Sequence, residues 1–397
     1  MNASANTSSA ATPAGVIASC FGFMVIGAQQ ALYGPAIPYL MQKYDISPGM
    51  AGMSLSAHFL GGVLGVLLFH GVYARFSNRS LLGVSYALMA IGCIAFAYAP
   101  SWPLALGAAF TIGLGYGGMD FGLNFLFSVG FGKRSVSMVN LINAHFGVGA
   151  IAAPALIAWI GAQNYQIAFV ACAVGSAIPL LALGSISNRT EHGDGAAQLP
   201  TQGGSRGLLL LGAFLLIYVF HVAIETGVGG WEPTHLEDVG YAASFAAAAT
   251  AVFWLMMTLG RFLSVFIGLR WSTERIMLVS CAGMALCLAA ATIPAAAPYA
   301  YAGVGLFIAP LFPTGLAWLN RCVPEARSAT AYVIAAAMLG GVIFPPLIGE
   351  IINRSGTLAA PLFMALLAFV CLLAVRLIIR VLGAAKSAEL PRGNTPL

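Results

Sequence analysis

Charge is what this chain lacks. Asp, Glu, Lys and Arg make up 7% of its 397 residues, while 60% are hydrophobic. A soluble domain carries about a quarter charged residues, so a soluble globular fold is excluded. Long polar segments are scarce as well, because SNRTEHGDGAAQLPTQGGSR at 187–206 is the one extended break between apolar stretches. The ten-residue alternation of a transmembrane β-barrel is missing. Neither a CxxC nor a Cys/His metal spacing occurs. Cys20, Cys93, Cys172, Cys281, Cys287, Cys322 and Cys371 fall mostly in apolar runs and read as small hydrophobes. No GxxxxGK[ST] is present to drive transport with ATP, and no HExxH or GxSxG to support hydrolysis. No enzyme, cofactor or metal is therefore expected. The opening MNASANTSSAATP has no basic n-region, so it is read as a tail over 1–13 rather than a cleavable signal.

What remains is hydrocarbon-matched sequence. Mean hydropathy is +0.90, and apolar stretches of roughly twenty residues, each long enough to cross a bilayer, recur throughout. Twelve spans are expected, at 14–41, 50–74, 81–99, 103–131, 136–161 and 165–186, then 207–231, 243–269, 275–294, 297–320, 327–352 and 357–382. The linker 187–206 divides them into two bundles, 14–186 and 207–382, with a second tail at 383–397. The chain is thus read as an all-α polytopic membrane protein of twelve transmembrane helices in two pseudo-symmetric six-helix bundles.

The basic residues orient it. With the N-terminus inside, the inner loops and C-terminal end hold Arg75, Arg79, Lys133, Arg134, Arg189, Arg206, Arg270, Arg275, Arg321, Arg327, Arg376, Arg380, Lys386 and Arg392. The outer loops hold Lys43 and Arg354. Lys and Arg accumulate on the cytoplasmic side, so both termini are expected in the cytoplasm. The net charge of +5 is then topological, and no nucleic-acid partner is implied.

Punctuation repeats between the halves. Gly34 precedes Pro38 by four residues, and Gly229 precedes Pro233 by four. Gly149 lies five before Pro154, and Gly340 five before Pro345. Such matches argue for duplication, with a midplane site between parallel halves. Gly–Pro groups at Gly34/Pro35/Pro38, Pro310/Pro313 and Pro345/Pro346 would let helices bend and gate.

Several segments resemble the major facilitator superfamily over nearly the whole chain. GVYARFSNRSLLG, Gly71 to Gly83, is similar to its loop 2–3 signature, although Arg75 stands where an acid is usual and Arg79 is kept. GRFLSVFIGLRWSTER is similar to the second-half counterpart, with Gly260 and Arg261. The resemblance implies that Arg75, Arg79, Gly260 and Arg261 serve structure or gating, Arg261 through a buried ion pair. GYGGMDFGLN, NLINAHFGVGAIAAP and HVAIETGVGGW resemble the fucose–galactose–glucose:proton symporter branch.

Polar groups inside the spans carry the chemistry. Of twelve acids, Asp120 and Glu225 are placed deep within spans. An ionised carboxylate at the bilayer centre costs about 2.5–3.5 kcal/mol on insertion scales, so both should face the bundle interior. There they are candidates for carrying a coupling proton, with His145 as partner to Asp120 or as relay. Glu225 lies eight residues before Pro233, and the position eight before Pro38 is Gln30. Sugars need amide or carboxylate hydrogen bonds and a flat apolar face. Gln29, Gln30, Asn124 and Asn143 are candidates for the first, and Trp254 for the second. His58, His221, Tyr33 and Trp231 are weaker candidates, Trp231 fitting the interfacial aromatic belt equally well.

The expectation is a secondary active transporter of the inner (plasma) membrane, working by alternating access as a monomer in the lipid bilayer. It would couple protons to uptake of a small polar solute such as a monosaccharide. Sodium is the alternative coupling ion. A proton-coupled efflux antiporter for amphipathic drugs or metabolites is the rival, and a membrane sensor is disfavoured by the short tails.

Overall fold

Serine and threonine begin the helices. Thr12 accepts from the Gly15 amide ahead of Pro13, Ser47 from Met50 ahead of Pro48, Ser77 from Ser80, and Ser272 from Arg275. Each side chain satisfies an amide that the first turn leaves unpaired, and proline is tolerated at a first turn for the same reason. At the other end of the first helix, Asp45 adopts a left-handed conformation at φ 51° and its amide caps the Met41 carbonyl.

The computed structural model describes residues 10–73, 75–188, 205–322 and 330–389. Residues 1–9 and 189–204 lie outside the described residues. So do Arg189, Arg327 and Arg392, and the side chains of Lys133, Arg206 and Lys386. The first half comprises α1 (Pro13–Tyr44), α2 (Pro48–Val72), α3 (Asn78–Ala97), α4 (Trp102–Val129), α5 (Ser135–Ile160) and α6 (Tyr165–Ala177), which tightens into a 3-10 stretch over Ile178–Ser185. In the second half come α7 (Ser205–Asp238), α8 (Ala243–Gly268), α9 (Thr273–Ala290), α10 (Ala297–Ile308), α11 (Leu311–Cys322), α12 (Thr330–Ser355) and α13 (Ala359–Glu389). The tenth span is in two pieces, α10 and α11, broken beside Pro310. Pro35, Pro38, Pro154, Pro233, Pro345 and Pro346 instead sit inside continuing helices.

Eleven segments among the described residues are long and apolar enough to cross a membrane. The remaining helix in span position is α4, 28 residues long. Asp120 and Asn124 interrupt its apolar run. From the expected tail, Ala10 and Ala11 pack into the core at 2% and 4% exposure, and Ala10 pairs with the backbone of Gly130 and Ser187.

The duplication is visible in the packing. A Cβ on Gly149 would overlap the Met24 carbonyl oxygen, and one on Gly340 would overlap that of Val219. Met24 stands fourteen residues before Pro38, and Val219 fourteen before Pro233. Gly65 meets Leu114 of α4 as Gly260 meets Leu306 of α10, and Gly113 meets His58 as Gly305 meets Phe253. One register therefore superposes α1 on α7, α2 on α8, α4 on α10 and α5 on α12. In these pairs the glycine is what allows two backbones to touch, which in lipid supplies the packing that hydrophobicity alone cannot.

The halves meet through α1 against α7, α2 against α12 and α5 against α8. Where α1 crosses α7, Gly34 faces Gly229 so closely that a Cβ on Gly34 would overlap the Gly229 carbonyl. These glycines are repeat mates, and mates touch only on the pseudo-twofold axis. Toward the arginine-poor ends, Gly49 lies against Glu350, Gly52 against Pro345 and Gly349 against Pro48, while Ser56 donates to the Val342 carbonyl. Among the described residues, no hydrogen bond crosses between the halves on the arginine-rich side of Glu225. The recorded conformer is closed on the arginine-poor side.

Candidate functional site

One turn from the Gly34–Gly229 crossing, another pair of repeat mates touches. Gln30 on α1 donates from Nε2 to Glu225 Oε1 on α7 at 3.0 Å. The two positions singled out by their spacing from proline thus form one hydrogen bond across the axis. Both are nearly buried, Gln30 at 6% and Glu225 at 9% exposure. Tyr116 on α4 donates to Gln30 Oε1 at 3.2 Å. On the far side, His221, one turn before Glu225, places Nε2 3.3 Å from Oε2. Tyr116, Gln30, Glu225 and His221 therefore form a polar line that ties the first half to the second.

Asp120 extends this line. It lies one turn beyond Tyr116 on α4, half-buried, where its charge is felt by the Tyr116 hydroxyl. Asn124, the next turn on, donates to Asp120 Oδ1 at 3.0 Å, and Asn143 of α5 donates to Asn124 Oδ1 at 2.8 Å. Asn143 also binds the Val139 carbonyl of its own helix at 2.9 Å. The structure brings together Asp120, Asn124 and Asn143, and separately Gln30 and Glu225, with Tyr116 between the two groups. Trp254 of α8 stands over Gly229 and meets Phe146 of α5 edge-on at 6.2 Å, with its indole nitrogen unpartnered. It thus belongs to the same junction.

Other candidates lie elsewhere. Gln29 is fully buried in the first half and donates to Cys93 of α3 and Ser176 of α6, both at 3.2 Å. One residue along a helix turns the side chain by about 100°, which takes Gln29 off the axis. His145 does not pair with Asp120, because its Nδ1 bonds the Leu141 carbonyl of its own turn at 2.8 Å. Arg261 makes no ion pair among the described residues. It donates to the Met257 sulfur at 3.6 Å and acts on Glu225 and Tyr116 only through its field. Beside it, Gly260 permits close packing of α8 on α10 against Ala309. Arg79 donates to the Ile186 and Gly184 carbonyls at 2.8 and 2.9 Å, closing the end of the α6 extension rather than bridging the halves. Arg75 is exposed, with no side-chain hydrogen bond or ion pair among the described residues. Trp231 is no belt residue, since it is fully buried and donates to the Pro345 carbonyl of α12 at 3.0 Å. His58 pairs with Tyr33 at 3.3 Å inside the first half.

Two polar residues escaped the sequence reading. Tyr116 was legible as the residue one turn before Asp120 on the same face. Glu232 lies beyond residue 231, where span 7 was expected to end before Pro233. The helix instead continues through Pro233 to Asp238, and places Glu232 at 0% exposure. Packed neighbours within a membrane bundle can support a helix past a proline in this way.

Comparison with known proteins agrees with this architecture. The family model described as Major Facilitator Superfamily matches residues 19–308 and, in a second overlapping match, 214–396. A glucose/mannose transporter, GlcP, of Bacillus subtilis (strain 168) is 23% identical over 350 residues, covering 84% of this chain and 86% of the relative. Among solved structures, a D-xylose-proton symporter superposes with a TM-score of 0.77 at 13% identity, covering 91% of this chain and 96% of that one. The nucleoside transporter NupG superposes with a TM-score of 0.71 at 14% identity, covering 92% and 98%. The chain belongs to the major facilitator superfamily and is a transporter, not an enzyme.

Proposed function

We propose that this major facilitator superfamily transporter imports a monosaccharide together with protons. The Gln30–Glu225 hydrogen bond on the axis between the halves carries the reading. An amide and a carboxylate at one point supply donors and acceptors for neighbouring sugar hydroxyls, and Trp254 offers a flat apolar face nearby. A sugar seated there exchanges the bond across the axis for bonds of its own. The two halves are then free to part on the side now closed, and alternating access follows.

Asp120 is the first candidate for the coupling proton and Glu225 the second. Asp120 has an amide partner in Asn124, which can donate to it or accept from it as it loses and gains a proton, and Asn143 donates to Asn124 in turn. Glu225 has His221 and Gln30 in the same relation. The coupled transport named for the xylose symporter and the glucose/mannose naming of the bacillar relative support this class of substrate. Asn124 and Asn143, in hydrogen-bonded line with Asp120, complete the candidate binding set. The bundles 14–186 and 207–382 are the rocking units, with the linker 187–206 and both termini in the cytoplasm, a placement the arginine distribution supports. The recorded conformer is then the one closed to the exterior. The chain acts as a monomer in the inner membrane.

The test is uptake of labelled monosaccharides into proteoliposomes, with and without an inward proton gradient. Gradient-driven accumulation of one sugar is expected. Failure to accumulate any sugar, together with proton-driven export of an amphipathic cation, would overturn the reading in favour of efflux.

A further inference from the structure

Glu232 has no part in the site above, yet it is the most completely buried acid among the described residues. It is 0% exposed, and neither carboxylate oxygen has a hydrogen-bond partner there. His235 on the next turn and Thr250 of α8 are also 0% exposed, and Tyr301 of α10 is 1% exposed. Thr250 lies within reach of the carboxyl, and its hydroxyl also approaches the Ala246 carbonyl at 3.4 Å. The Tyr301 hydroxyl shares a 2.8 Å hydrogen bond with His235 Nδ1. His235 Nε2 is unpartnered, and the exposed Asp238 at the end of α7 acts on this imidazole.

The repeat shows that the fold does not require this cluster. By the register fixed above, the mates of Glu232, His235, Thr250 and Tyr301 are Ile37, Leu40, Leu55 and Ala109. All four are apolar and at most 2% exposed. The first half fills this locus with hydrocarbon, while the second places an acid, an imidazole and a phenol there. No Lys or Arg faces Glu232 among the described residues, and the titratable groups around it are His235 of its own helix and Tyr301 of α10. An unpaired ionised carboxylate in such surroundings carries a large desolvation cost. A bound proton removes that cost.

We propose that Glu232 is a second proton-binding carboxyl of this transporter. Seven residues, or two turns, separate this carboxyl from Glu225 on the same helix. This site goes beyond the sugar reading, and its test needs no substrate.

The experiment is infrared spectroscopy of the purified full-length protein in lipid, with carbon-13 in its glutamates. At neutral pH the carbonyl stretch of a protonated glutamic acid is expected in the wild type. It should persist in Glu225→Gln and vanish in Glu232→Gln. A band absent from the wild type, or unchanged in Glu232→Gln, would overturn the site. Where Glu232→Gln does not fold, Glu225→Gln decides, because loss of the band there assigns it to Glu225 instead.

Discussion

Gln30 and Gln29 are neighbours in sequence with opposite destinations, and the repeat tells them apart. Gln30 has Glu225 as its mate and meets it on the axis, whereas Gln29 hydrogen-bonds inside the first half. Replacing Gln30 with Leu removes one hydrogen bond to substrate and one to Glu225. A net hydrogen bond is worth about 0.5–1.5 kcal/mol, so KM for the transported sugar should rise up to about tenfold. Gln29→Leu should instead lower the thermal midpoint and leave KM as it is. Equal effects on KM from both variants would contradict the placement. Arg79 offers a parallel case away from the site. Its two bonds to the Ile186 and Gly184 carbonyls are half-exposed, so Arg79→Ala should cost about 1–2 kcal/mol of stability. Denaturation of the purified protein measures that, and an unchanged KM separates it from a gating role. The charge pattern that identified Arg79 was legible, but its partners are backbone carbonyls, which no side-chain motif announces.

At the scale of elements, the repeated Gly–Pro spacing was the most informative feature. It foretold which helices correspond, and the mates Gly34 and Gly229 do come together. Gly34→Val should hold α1 and α7 apart and disfavour the conformer closed on the arginine-poor side. A disulfide between Gly49→Cys and Glu350→Cys, positions in contact across α2 and α12, reads this out. Cross-linking should fall when Gly34→Val is added, and uptake should fall with it. Unchanged cross-linking would show that this crossing does not control closure. The end of α7 was not legible, because Pro233 reads as a stop in a single helix. Neighbouring helices carry the chain past it to Asp238. That extension is what hid Glu232 and made Trp231 look like a belt residue.

For the whole molecule, the scarcity of charge pointed to the class, the bulk of the arginines supports the proposed orientation, and the doubled punctuation pointed to the two halves. Composition could not reveal which polar residues converge, since that depends on helix rotation about the axis. Asp120, Asn124 and Asn143 were recognisable as polar residues in a greasy setting, and they do assemble. His145, in the same setting, bonds its own backbone. On the proposed function, Asp120 carries the coupling proton while Gln30 and Glu225 hold the sugar. Its most direct test compares two sugar fluxes in proteoliposomes of wild type and Asp120→Asn, namely gradient-driven accumulation and gradient-free counterflow. Asp120→Asn should keep counterflow and lose accumulation. Accumulation at the wild-type level in Asp120→Asn would contradict it.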